Sequence, residues 1–213
     1  VVRDLPNPAM AGDELYIETI TPVLAELLTA TQGRAMVLFT SHYMLRETYF
    51  RLKPLLESQA INLMGHGIDG SQSRLMEEFR ATPASVIFGA STFWEGVDIQ
   101  GEDLSCVIIV KLPFLPPNQP IVEARLEAIA RRNRSGFYNY TLPEAILRLK
   151  QGFGRLIRAQ SDRGIVIILD NRIVDKSYGH WFFRSLPIKT HLRANLYSIK
   201  ERIQNWLTKE PLV

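Results

Sequence analysis

Ala35-Met36-Val37-Leu38-Phe39-Thr40-Ser41 is a run of five apolar residues closed by two hydroxyls, and residues 42–57 after it carry a helical pattern. A short, unbroken apolar run fits a strand covered on both faces, as in a parallel sheet, whereas a half-exposed strand alternates. The unit recurs. Residues 60–64 form a second short strand, followed by a turn rich in glycine (Gly65, Gly67, Gly70). A helix over 71–80 comes next, with Ser71 as its N-cap and Leu75, Met76 and Phe79 on its apolar side. Residues 86–88, 106–110 and 165–169 make three more strands. Strands alternating with helices predict a doubly wound α/β layer, its sheet largely parallel and its helices on both faces. Upstream, Ile17, Ile20, Leu24, Leu27 and Leu28 predict a helix that starts at Asp13, ends at Gly33, and is kinked or broken at Pro22. Downstream, helices are predicted over 119–134, 142–158, 175–186 and 193–207. Residues 1–12, with Pro6, Asn7 and Pro8, have no periodicity and read as a linker, leaving 13–213 as the domain.

Composition narrows the class. At 213 residues the chain makes one generous domain or two small ones. Twenty-five basic against twenty-two acidic residues give a net charge of only +3, so any nucleic-acid site must be a local patch rather than a field over the whole surface. The single cysteine, Cys106, lies in an apolar run and reads as core; no disulfide and no four-cysteine iron–sulfur site can be built from this chain. No apolar run approaches the roughly 20 residues that span a bilayer, and the first residues carry no signal-peptide pattern, so cytoplasm is the expected compartment.

In open α/β sheets ligands sit at the carboxyl ends of strands, and three loops there carry suggestive chemistry. Thr40-Ser41-His42-Tyr43 puts hydroxyls at a helix start, where free backbone N–H groups favour a phosphate; an ordinary Ser/Thr N-cap is the other reading. His42 has no ligand-type neighbour at usable spacing and reads as a surface residue. Ala90-Ser91-Thr92-Phe93-Trp94-Glu95-Gly96-Val97-Asp98 gathers two aromatics, two carboxylates and a glycine. Its carboxylates suit ribose hydroxyls or magnesium-bound water, and Gly96 admits close backbone approach; a capped turn with two aromatic core plugs is the alternative. Lys111-Leu112-Pro113-Phe114-Leu115-Pro116-Pro117 leaves the sheet along a stiff, extended path.

A last stretch, Gln151-Gly152-Phe153-Gly154-Arg155-Leu156-Ile157-Arg158, closes the predicted 142–158 helix. There Gln151, Arg155 and Arg158 fall at i, i+4 and i+7, one face, opposite Ile146, Leu149, Phe153, Leu156 and Ile157. Two planar guanidiniums on one face suit a polyphosphate, although a solvated basic face has the same pattern. Gly152 and Gly154 each cost roughly 1 kcal/mol against alanine in a helix, so another surface is expected to approach closely there. No G-x-x-x-x-G-K-[ST] occurs anywhere, so the arginine fork is half of a nucleotide site.

Together, Trp94-Glu95-Gly96-Val97-Asp98 and the Gln151–Arg158 stretch resemble motifs V and VI of superfamily 2 helicases, and Leu38-Phe39-Thr40-Ser41 resembles motif IV. Leu112-Pro113-Phe114 and Asp162-Arg163-Gly164 bring the likeness closest to the DinG and XPD branch. The resemblance runs over residues 34–186. It implies a RecA-like (P-loop NTPase-type) helicase C-terminal lobe, the second of two, with ATP and Mg2+ bound mainly by a first lobe of the same polypeptide. Gln151, Arg155 and Arg158 would reach the γ-phosphate, with Arg158 as arginine finger. Glu95, Gly96 and Asp98 would line the nucleotide, and Thr40, Ser41 and Trp94 would contact single-stranded DNA, along which the family moves 5′ to 3′. Phe114 and Tyr138 are further aromatics for that path, with core packing the other reading of each, as of Trp94. Neither a metal site nor an iron–sulfur cluster is expected within this chain, and residues 1–12 would be the hinge from the first lobe. The alternative is a stand-alone module that binds nucleic acid or protein.

Overall fold

The structure, a computed structural model, describes residues 1–94, 104–154, 156, 164–188 and 191–208. Five strands, β1 (Ala35–Phe39), β2 (Asn62–Gly65), β3 (Ser85–Ala90), β4 (Cys106–Ile109) and β5 (Ile165–Ile168), form one sheet in the order β2-β3-β1-β4-β5. Every pairing is parallel. All residues of β1, β3 and β4 are buried, as their unbroken apolar runs predict.

Alternate residues of each strand feed two separate cores, because side chains point to opposite faces with period two. Ala35, Val37 and Phe39 pack on one face with α1 (Asp13–Ala30), α2 (His42–Ser58) and α8 (Leu196–Thr208). Met36 and Leu38 pack on the other with α3 (Gln72–Ala81), α5 (Leu142–Phe153), α6 (Arg172–Asp175) and α7 (Gly179–Ser185). Between β4 and α5 the chain forms α4 (Pro120–Ala130) and a π-helical turn, Phe137–Thr141. Neighbouring strands β1 and β3 send their onward connections in opposite directions along the sheet, which opens a crevice at their carboxyl ends. Among the described residues no helix is long and apolar enough to cross a membrane.

Several elements differ from their predicted form. Pro22 lies inside a single helix, neither end of which it defines. Burial of Ile17, Ile20, Leu24 and Leu28 holds α1 through it, and the Thr19 and Thr21 hydroxyls donate to the Leu15 and Ile17 carbonyls in the preceding turn. The predicted 175–186 helix is shorter than expected: α7 begins only at Gly179, and a separate short helix, α6, precedes it and ends at Asp175. The chain doubles back so closely that no side chain fits between Gly179 and the Ile173 carbonyl. The helix predicted over 142–158 stops at Phe153: Gly154 N–H still reaches Lys150 O at 2.9 Å, but Leu156 N–H turns to Phe153 O at 3.1 Å. Gly154, a poor helix residue, stands at the transition.

The opening residues are tied to the sheet. Val2 N–H donates to Ile168 O at 3.1 Å and Arg3 N–H to Ala194 O at 2.8 Å. Asn171 donates through Nδ2 to the carbonyls of Arg3 and Leu5. Val2 and Leu5 are buried, and residues 6–12 run from them to the start of α1.

Candidate functional site

An open cavity of about 370 Å3 lies beyond the carboxyl ends of β1, β3 and β4. One wall is Thr40, which follows β1. A second is Ser91 and Thr92, which begin a 3-10 turn (Ser91–Phe93) directly after β3. Pro113, Phe114, Leu115 and Pro116, beyond β4, make the third, and Gln119 and Arg148 close the rim from α4 and α5. The lining carries hydroxyls, an amide and a guanidinium, groups that can bind phosphodiester oxygens.

Each wall is fixed from behind. Trp94, 2% exposed, donates its indole N–H to Phe39 O at 2.7 Å, locking the turn after β3 to the end of β1. Against the Trp94 ring lies Gly152 of α5. A Cβ at 152 would sit 3.0 Å from both Trp94 Cζ3 and Leu38 Cδ1, which is the close approach predicted from this glycine. Among the described residues Gly154 has no such neighbour; the atoms recorded near it are carbonyls of its own last turn. The Leu112-Pro113-Phe114 wall hangs on Asp170, a fully buried carboxylate just past β5. Its Oδ2 accepts the Leu112 N–H at 2.8 Å, and the Arg172 guanidinium forks onto both oxygens, Nε at 2.9 and 3.1 Å and Nη2 at 2.6 Å. Burial works against the Arg172 charge, yet pairing with Asp170 more than offsets it and holds the guanidinium above its ordinary pKa. The same guanidinium lies 5.3 Å over the Phe114 ring. Phe114 also packs against Phe137, Tyr178 and Phe182. Tyr16 bridges the two strand ends, its hydroxyl within 3.0 Å of Val110 O and 3.2 Å of Leu169 O, where burial and the nearby Asp170 raise its pKa.

Thr40, Ser41, Trp94 and Gln151 are the predicted site residues that fall among the described ones. Thr40 lines the cavity. Ser41 is the N-cap of α2, accepting the Met44 N–H at 3.3 Å, so its capping role holds here. Trp94, expected either as a DNA-contacting aromatic or as a core plug, borders the cavity, but it is 2% exposed and its ring packs between α5 and β1. Tyr138 is 57% exposed and stands edge-on to Phe137. Gln151 is half-buried, and its Oε1, near the end of α5, is buried with no hydrogen-bond partner among the described residues. Glu95, Gly96, Asp98, Arg155 and Arg158 lie outside the described residues, as do Ile157, Asp162 and Arg163.

Sequence reasoning missed three contributors. Arg148 was findable, since it precedes Gln151 by three and Gly152 by four and so shares their helix side. Asp170 carried a weaker signal, a carboxylate directly following a buried strand. His42, read as a surface residue, is exposed, and beyond that reading it meets His66 at 5.5 Å between ring centroids and Ser91 Oγ at 3.1 Å. No spacing rule links residues that far apart in sequence.

Residues 24–189 match a family described as "Helicase C-terminal domain". The "ATP-dependent DNA helicase YoaA" of Haemophilus influenzae is 41% identical over 207 residues, which cover 96% of this chain and 31% of that protein. The "3'-5' exonuclease DinG" of Bacillus subtilis is 37% identical over 188 residues, 88% of this chain and 20% of that protein. The chain thus spans about a third or less of the length of these relatives. A solved structure named "XPD_Helicase" superposes with a TM-score of 0.65 at 19% identity, over 90% of this chain and 34% of that one.

Proposed function

Given that the chain belongs to the helicase C-terminal domain family, we propose that it forms the second RecA-like motor lobe of a longer ATP-dependent 5′-to-3′ DNA helicase. The observation that carries this reading is the strand-end cavity, rimmed by Thr40, Ser91, Thr92, Gln119 and Arg148, from which α5 runs on to Gln151. Thr40, Ser91, Thr92 and Arg148 hold the backbone of a single DNA strand, with Ser41 shaping the helix start beside them. Trp94 acts here as a buried brace rather than a stacking platform. Grip through phosphates is salt-dependent and weakly selective for sequence.

ATP and its Mg2+ belong mainly to a first lobe of the same polypeptide. Across the cleft between lobes, Glu95, Gly96 and Asp98 face the nucleotide. Gln151, through its amide N–H, Arg155 and Arg158 reach the γ-phosphate. Charge develops on the transferring phosphoryl group, and an arginine delivered from a second body, here Arg158, is worth roughly three to five orders of magnitude in rate. Because finger and phosphate cradle sit on different bodies, lobe closure follows ATP binding and opening follows hydrolysis. A strand gripped by both bodies is stepped along as they do so.

In the full-length protein, Arg158→Ala is expected to abolish ATP hydrolysis and unwinding while nucleotide-free affinity for single strands stays unchanged. Thr40→Ala and Arg148→Ala are expected to weaken that affinity, the latter lowering the slope against log salt by about one phosphate contact. Undiminished ATPase in Arg158→Ala would remove the finger; a stand-alone binding module predicts that result together with intact DNA affinity. The present chain alone should not turn over ATP, and robust hydrolysis by it would refute the half-site.

A further inference from the structure

Three loops at the carboxyl edge of the sheet bring together side chains from sequence positions 24 and 49 residues apart. His42 is the first residue of α2, His66 follows β2, and Ser91 follows β3. His42 Nε2 lies 3.1 Å from Ser91 Oγ. The His42 ring packs on His66 with centroids 5.5 Å apart, and His66 packs on Phe93 at 4.9 Å, a side chain with no exposure at all. A stack therefore rises from the core through Phe93, His66 and His42 to a hydroxyl on the cavity wall. We propose that His42 is a positioning residue that orients the Ser91 hydroxyl toward a phosphodiester oxygen in the cavity, with His66 as its fixed backing; this rests on the reading of the cavity as a single-strand site.

The chemistry is specific. A serine hydroxyl has one hydrogen and two lone pairs, and it rotates freely among staggered positions unless something holds it. An imidazole N–H donated to Oγ occupies a lone pair and leaves the O–H hydrogen to donate outward, which is what an anion needs. Ser91 is already constrained at the backbone: its φ of 51° is a left-handed conformation uncommon for a residue with a side chain. Its carbonyl accepts the Trp94 N–H at 3.1 Å, so the turn cannot swing as a whole. The exposed His42 ring would wander without a wall, and His66 supplies one. Burial, then the neighbouring His42, push the His66 pKa down, which favours the neutral ring against a second imidazole. His66 Nδ1 is buried without a hydrogen-bond partner, so packing holds this ring at that nitrogen.

The test is a double-mutant cycle in the full-length protein, reading affinity for a labelled single-stranded oligothymidylate without nucleotide. Ser91→Ala should weaken binding at least about tenfold, the worth of a hydrogen bond to a charged group. His42→Phe, and His42→Ala as a second truncation, should weaken it roughly threefold to tenfold, and the double variant should be no worse than Ser91→Ala alone. His42→Gln keeps a donor and should stay within about twofold of the parent. The proposal is overturned if His42→Phe binds as tightly as the parent or tighter, if the two losses multiply, or if Gln fares as badly as Phe. Thr40→Ala separates the levels: a loss there with His42→Phe silent removes only this inference. If Thr40→Ala, Ser91→Ala and His42→Phe are all silent, the single-strand reading of the cavity falls too.

Discussion

Removing the Asp170 carboxylate should cost more than any other single change near the cavity. In Asp170→Ala the Arg172 guanidinium, whose side chain is 16% exposed, loses its counter-charge, and the buried Leu112 N–H loses its acceptor. Breaking one half of a buried pair costs about 3–5 kcal/mol. An orphaned N–H is worth about 1–3 kcal/mol on its own, but both losses pass through one carboxylate and do not add. Because Arg172 retains some access to water, the lower end applies, about 3 kcal/mol against a total of roughly 5–15 kcal/mol for a domain. Urea denaturation of this chain, followed by circular dichroism, reads it directly. With m of about 1–3 kcal/mol/M, the midpoint should drop by roughly 1–3 M at constant m. The paired replacement Asp170→Leu with Arg172→Met buries no charge and should recover a large part of the loss. The account is wrong if Asp170→Ala costs less than about 1 kcal/mol, or if the double variant is worse than the single. Binding should echo stability, because Leu112-Pro113-Phe114 forms a cavity wall. Under conditions where the single variant is still folded, its single-strand affinity should fall.

Gly152→Ala gains roughly 1 kcal/mol of helix propensity but presses a Cβ against Trp94 and Leu38, and such overpacking costs roughly 1–3 kcal/mol. Trp94 is pinned by its 2.7 Å bond to Phe39, so the net effect should be a lower melting temperature; a stabilised variant would contradict the packing described. His66 has a folded-state pKa below the ordinary imidazole value, so the unfolded chain binds more protons once the pH falls below about 6.5. Stability should therefore decline as the pH drops through that value, and melting curves of His66→Gln should decline less; identical pH dependence in both proteins would exclude His66 as the cause. Burial pushes the Cys106 thiol up to about 12, so iodoacetamide should leave it untouched in the native protein near pH ~8 and label it after denaturation. Native-state labelling would show that β4 opens.

The likeness of predicted and observed strands has a simple cause. β1, β3 and β4 are covered on both faces, and such strands need an apolar residue at every position, a pattern no surface element copies. The close approach at Gly152 was legible for a similar reason, since a glycine inside a helix demands a neighbour to compensate it. Local rules failed where tertiary contacts overrode them. Of the kink or break expected at Pro22, the break does not occur, because the apolar side of α1 is buried on the sheet and the helix continues past it. The 142–158 pattern promised three polar groups on one continuous helix, yet the regular turns end at Phe153.

By itself the sequence determined the layer architecture and which segments leave the carboxyl ends of the strands, because periodicity and turn residues are local properties. Only the tertiary structure decided what meets there. The Asp170 anchor under Leu112, the Trp94 brace on α5, and the His42, His66 and Ser91 stack each join segments tens of residues apart. Such contacts arise from how the parallel crossovers return to one edge of the sheet, and no spacing along the chain encodes them.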